Sequence, residues 1–224
     1  MDFNSRQSRT KASFTTRKLK TKLVVFKDNY LNFKSILKFT LPILIVIAVL
    51  PIGLVYLVNI TYQRRTITTP QEIPLELRTG VVILKQSDIL YDFDNARKLI
   101  ETVKDLYTKK RVTQVLIISY NDASNIIPSI EPFQQFFKDI PTENYKIDIS
   151  AKDIASACSV IEEKYQVQKF VLSSYRNLLP RVAYACSFNG LYVKPYLPRD
   201  LNIVSKEDDF NKTLEIILNS IFKD

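Results

Sequence analysis

The sequence predicts an α/β fold, a parallel sheet of about five strands flanked by helices and preceded by one N-terminal transmembrane helix. Three observations predict it. Phe39 to Gln63, "FTLPILIVIAVLPIGLVYLVNITYQ", holds no charged residue. Beyond Gly80, short Val/Ile/Leu runs alternate with segments of helical period. Those runs are nearly continuous rather than alternating, as suits strands buried on both faces.

The uncharged stretch is long enough as a helix to exceed a hydrocarbon thickness of about 30 Å. Pro42 and Pro51 would harm a soluble helix but are tolerated in a membrane span. The run exceeds a signal-peptide core and no Ala-x-Ala site follows it, so it reads as an uncleaved signal anchor. Lys20, Lys22, Lys27, Lys34 and Lys38 precede it, against Arg64 and Arg65 after it. The positive-inside rule therefore places residues 1–38 in the cytoplasm and the rest beyond the cell membrane, as a single-pass protein. Residues 39–63 are the span, 64–78 a linker, and 79–224 the extracytoplasmic domain. The linker holds Pro70 and Pro74 and shows no period.

The net charge of +9 is concentrated in the arm. Residues 1–38 hold ten Lys/Arg and two Asp/Glu; residues 66–224 hold 20 and 21. A nearly neutral domain argues against nucleic acid as its partner. The arm interleaves basic and apolar residues and suits either a topology signal or a contact with anionic headgroups. The absence of histidine excludes His-based acid/base catalysis and most transition-metal sites. Cys158 and Cys186 are too few for a zinc motif. Two readings stay open for them: buried free thiols, the commoner arrangement, or one disulfide between helices.

The predicted strands are "GVVIL" (80–84), "TQVLIIS" (113–119), "YKIDIS" (145–150), "KFVLSS" (169–174) and "LYVKPY" (191–196). Asp92 is placed to cap a helix that buries Ala96, Leu99, Ile100, Val103 and Leu106, with Phe93 on the same face. Ser150 with Asp153 resembles a capping box before Ile154, Ala157, Ile161 and Tyr165. Asn177 is placed to cap the next helix, which Asn189-Gly190 would end. Ser205 and Asp208 repeat the box ahead of the last helix. This alternation is Rossmann-like, and ligands bind such sheets at the carboxyl ends of the strands. Lys85, Gln86, Ser119, Tyr120, Asn121, Asp122, Ser173, Ser174 and Arg176 gather there.

At these residues the chain resembles a family, the SanA-like and ElyC-like (YdcF-like) proteins of the bacterial envelope, over roughly residues 78–200. "GVVIL" matches the family's first strand, "LIIS" its second, and Glu131-Pro132 the start of its Glu-bearing helix. "VLSSYRNLLPRVAYAC" resembles its strand, loop and Arg-Ala helix, with Arg181 on the family's arginine. The resemblance implies a role in envelope barrier function or cell-wall precursor homeostasis. The chain also departs from the family. Lys85-Gln86 and Ser119-Tyr120-Asn121 replace its glycine loops, Leu178 its histidine, and Ile154 its threonine. Glycine in such loops lets the backbone approach an anionic ligand, and these residues block that approach.

The expectation is a degenerate site with no catalytic residue, cofactor or metal. Ser119, Asn121, Glu131, Ser174, Arg176 and Arg181 are its candidate ligand-binding residues. Tyr120 and Tyr175 fill the space the glycines leave. Two other readings compete. One is a divergent enzyme acting on a phosphate- or sugar-bearing envelope metabolite through Arg181, Glu131 and an Asp. The other is a module that docks on an envelope protein. The expected partners are the bilayer and either an anionic small molecule or an envelope protein.

Overall fold

The computed structural model describes residues 38, 40–47, 49–121, 130–204 and 209–221. The chain divides into two compact units, Met1–Ile52 and Gly53–Asp224. Of the first unit, the described residues belong almost wholly to the helix α1, Thr40–Arg65. It is long and apolar enough to cross a membrane. The basic arm up to residue 37 lies outside the described residues, as do Asp122, Ser205 and Asp208.

The second unit is the expected α/β domain. Its strands are β1 (Thr79–Lys85), β2 (Gln114–Tyr120), β3 (Tyr145–Ala151), β4 (Lys169–Ser173) and β5 (Tyr192–Pro195). They form one sheet in the order β3-β2-β1-β4-β5, every pair parallel. The central strands β1, β2 and β4 are buried along nearly their whole length, and they are the unbroken apolar runs of the sequence. The edge strand β3 is less covered: Ile147 and Ile149 are half-buried, while Asp148 between them is buried.

The helices are α2 (Gln86–Tyr91), α3 (Phe93–Thr108), α4 (Glu131–Gln134), α5 (Ile154–Glu163), α6 (Leu179–Phe188) and α7 (Asp209–Ile221). Right-handed crossovers put α3, between β1 and β2, on one face of the sheet and α6, between β4 and β5, on the other. The helix α3 buries Ala96, Leu99, Ile100, Val103 and Leu106 as its period predicts. Phe93 instead stays partly exposed and packs on Phe136, ring centroids 5.7 Å apart. Gly80 is where α3 comes closest: a Cβ there would lie 2.5 Å from Val103 Cγ1.

The caps differ in detail from the expectation. Asp92 precedes α3, but its carboxylate accepts from the Asn95 side chain and caps no backbone N–H. The capping box of α5 is Asp153 with Ser156, not Ser150 with Asp153. Leu178, not Asn177, is the cap residue of α6. That helix ends as predicted at Asn189, with Gly190 at φ +85° and the Leu191 N–H bonded to the Cys186 carbonyl.

Cys158 on α5 and Cys186 on α6 form a disulfide, so the free-thiol reading is corrected. The two successive helices pack against each other, which brings cysteines 28 residues apart within bonding reach.

The segment 66–78 is a strap rather than a loose linker. Ile67 bridges Tyr196 in parallel, its N–H donating to the Pro195 carbonyl at 2.8 Å. Ile67, Ile73 and Leu77 form a small core with Leu106, Val112, Val171 and Tyr196. In α1, Val55, Val58 and Tyr62 join the main core of the α/β unit, and the Tyr62 ring meets Tyr184 edge-on at 6.5 Å.

Candidate functional site

The strand order places the switch of direction between β1 and β4, where parallel sheets open a crevice at their carboxyl ends. Here that crevice is bridged. The Ser174 hydroxyl donates to the Ile83 carbonyl at 3.0 Å, joining the end of β4 to β1. Tyr175, the next residue, is fully buried.

On the β1 side no glycine turn separates strand from helix. Lys85 ends β1 and Gln86 opens α2 directly. The Gln86 side chain is buried and donates to the Ile149 carbonyl at 3.0 Å. It therefore reaches from the end of β1 past β2 to β3, over the edge where a phosphate loop would lie. Tyr120, at the end of β2, is buried as well. The tyrosines occupy space at the strand ends as the sequence predicts. The Tyr175 hydroxyl faces Asp88 and Asp92 with no hydrogen-bond partner of good geometry among the described residues, and burial followed by those carboxylates pushes its pKa far up.

The candidate residues divide between interior and surface. Ser119 and Ser174 are wholly buried and Arg181 is 1% exposed. Arg176 and Glu131 are exposed, and Asn121 is half-buried. Ser119 pairs with Leu84 of β1; its hydroxyl, like that of Ser173, has no hydrogen-bond partner among the described residues. Asn121 extends the β2–β3 ladder through its N–H to the Ala151 carbonyl. The Arg176 N–H donates to the Ile203 carbonyl, which fixes the loop after β4. Arg181 lies in the first turn of α6, and it, Asn121 and Glu131 each have an interaction partner. Ser119, Ser174 and Arg181 are thus sealed in the interior, while Arg176 and Glu131 face solvent.

A second polar cluster lies at Asp148 in β3. Its carboxylate accepts from the Ser150 N–H and hydroxyl, from Lys164, and from the Tyr165 hydroxyl at 2.9 Å. Burial pushes this carboxyl up, but hydrogen bonds from Lys164, Ser150 and Tyr165 outweigh it and hold the pKa at about 2. The folded value lies below the ordinary 3.8, so the contribution is complete above about pH 4 and is lost as pH falls toward 2. It amounts to about 2 kcal/mol. Asp148→Asn should be less stable at neutral pH and should lose less stability than the parent between about pH 6 and 3. Urea melts at the two pH values check this.

A groove of about 370 Å³ lies on the α3 flank, lined by Lys98, Glu101, Asp105, Tyr196, Asp200 and strap residues. Burial, then Asp105 and Asp200, push the Tyr196 hydroxyl up to about 12. The sequence shows no sign of this groove, because its walls meet only once the strap docks. Among the described residues no group of three or more His, Cys, Asp or Glu side chains is placed to hold a metal ion. No family model matches the chain, and neither a curated protein nor a solved structure matches it.

Proposed function

We propose that the chain is a membrane-anchored, extracytoplasmic SanA-like domain with a role in envelope barrier function or cell-wall precursor homeostasis, and that it acts without catalysis. The resemblance of "VLSSYRNLLPRVAYAC" and its neighbouring strands supports the family reading. The flanking charge of α1 supports the orientation. The Cys158–Cys186 disulfide supports it independently, because disulfides persist in oxidising compartments and are rare in the cytosol.

One observation carries the non-catalytic part: the Ser174–Ile83 hydrogen bond across the β1/β4 crevice, with Tyr175 buried behind it. A ligand could touch Ser119, Ser174 or Arg181 only after the packed edge had opened. The interaction-module reading called for an exposed apolar patch at this edge, and the tyrosines there are buried.

The test is thermal unfolding of the full chain in detergent against nucleotides, S-adenosylmethionine, sugar phosphates and short polyprenyl phosphates. The full chain is needed because Val55, Val58 and Tyr62 belong to the domain core. No compound should shift the midpoint. A ligand at one hundred times its dissociation constant stabilises by about 2.7 kcal/mol. A shift of that size that disappears in Arg176→Ala would restore the enzyme reading.

A further inference from the structure

The last turns of α1, from Gly53 on, belong to the α/β unit and bear on how that unit meets the membrane. A hydrocarbon layer of about 30 Å takes about 20 helical residues at 1.5 Å rise each. The uncharged run Phe39–Gln63 exceeds that, and every stretch of about 20 residues within it includes 44–58. For a span of about 20 residues, Val55 lies within the hydrocarbon and Val58 within it or at its boundary. Yet they are only 7% and 8% exposed, covered by the core of the α/β unit, while Tyr56 and Leu57 on the other side of the helix are 65% and 58% exposed. Protein covers one side of the helix at a depth where lipid covers the other.

Two fixed points show which part of the domain reaches that depth. Ile67 sits beside Tyr196, just past the carboxyl end of β5. Further back along the chain, Tyr62 meets Tyr184 midway along α6. The helix α6 runs antiparallel to the strands it joins, so its last residue, Phe188, lies toward the amino end of β5. Continuing back from Tyr62, Val58 and Val55 lead toward that same amino edge. There Phe188 and Tyr192 are each 50% exposed, and the Phe188 ring continues the series from Tyr62 and Tyr184, 6.2 Å from the latter. Exposed Arg78, Lys110 and Lys169 stand at the amino ends of β1, β2 and β4, together with Glu143 and Glu163.

We propose that the amino edge of the sheet is a membrane-docking face, with Phe188 and Tyr192 seated in the outer leaflet of the bilayer that α1 crosses. This rests on the reading of α1 as a membrane span. Aromatic rings prefer the depth of the headgroups, where an apolar body and a polar rim are both satisfied. Lys169, paired with Tyr192 across β4 and β5, sets a cation beside them that favours anionic lipid. The carboxyl edge, with Ser174, Tyr175 and Arg176, then faces away from the membrane.

The chain contains no tryptophan, so a single one is a unique reporter. Full-length Phe188→Trp and Tyr192→Trp would be reconstituted into vesicles of phosphatidylcholine and phosphatidylglycerol, with or without bromine on the acyl chains. Val204→Trp, half-exposed beside the Arg176–Ile203 contact at the carboxyl edge, is the control. Bromolipid should quench about half of the emission at 188 and 192, as expected for rings in the headgroup and acyl boundary, and leave that at 204 unchanged. Emission at 188 and 192 that is no more quenched than at 204, in a chain that resists carbonate extraction, overturns the docking face alone. A chain stripped from the vesicles by carbonate overturns the membrane reading of α1 and the docking face with it.

Discussion

Removing the Cys158–Cys186 bridge lowers the unfolding free energy by about 3–4 kcal/mol. The estimate follows from the loop the bridge closes, cysteines 28 residues apart, whose restriction in the unfolded chain is released on reduction. Little of the loss is recovered in the native state. Both cysteines are fully buried between α5 and α6, and two alanines would leave space where the sulfurs packed. Urea unfolding of Cys158→Ala/Cys186→Ala beside the parent, with and without reductant, measures it. The reduced parent and the double variant should converge on similar midpoints. A loss below about 1 kcal/mol would mean that the α5–α6 packing holds without its bridge.

Tyr175→Ala costs about 3–5 kcal/mol, whereas Tyr175→Phe costs almost nothing or stabilises slightly. The ring is fully buried at the end of β4, within the main core, and its removal leaves a void that the parallel strands cannot collapse to fill. The hydroxyl contributes differently. It is buried facing Asp88 and Asp92 with no hydrogen-bond partner of good geometry among the described residues, so the parent bears its desolvation and Phe relieves it. The pair of variants separates the ring's packing from any use of the hydroxyl. A loss above about 2 kcal/mol in Tyr175→Phe would show that the hydroxyl is held in a polar network.

The central architecture was legible because burial on both faces of β1, β2 and β4 demands unbroken apolar runs, and "GVVIL", "QVLIIS" and "KFVLS" supply them. The helix α3 was legible for the matching reason, an apolar stripe at helical spacing. The helix α5, on the other face of the sheet beside α6, is legible too, but its cap is not. "SAKDIAS" contains two overlapping boxes, and only the folded register, in which Ser150 turns to Asp148, selects Asp153 with Ser156. In the sequence the strap reads as a linker because Ile67, Ile73 and Leu77 follow no single period. Each is buried by residues distant in sequence, such as Leu106, Val171 and Tyr196.

At the candidate site, the strand ends were placed correctly but their closure was not foreseen. The Ser174–Ile83 bond joins residues 91 apart and exists only because β4 lies beside β1. Gln86 is similar: the missing glycine after β1 was visible, but its reach to Ile149 required β3 to be in place. Arg181 read as a ligand-binding residue from its match to the family's arginine, and the fold places it in the first turn of a buried helix. The cysteines showed no pairing signal in sequence, since two helices with one cysteine each pair only if they pack side by side.

The proposed topology puts the carboxyl edge of the sheet beyond the membrane. Val204→Cys places a thiol on that half-exposed edge, and the native cysteines, held in their disulfide, do not compete for label. The measurement is labelling of this variant in intact cells with a membrane-impermeant maleimide. The account predicts full labelling before lysis; a thiol that reacts only after the cells are broken would contradict it.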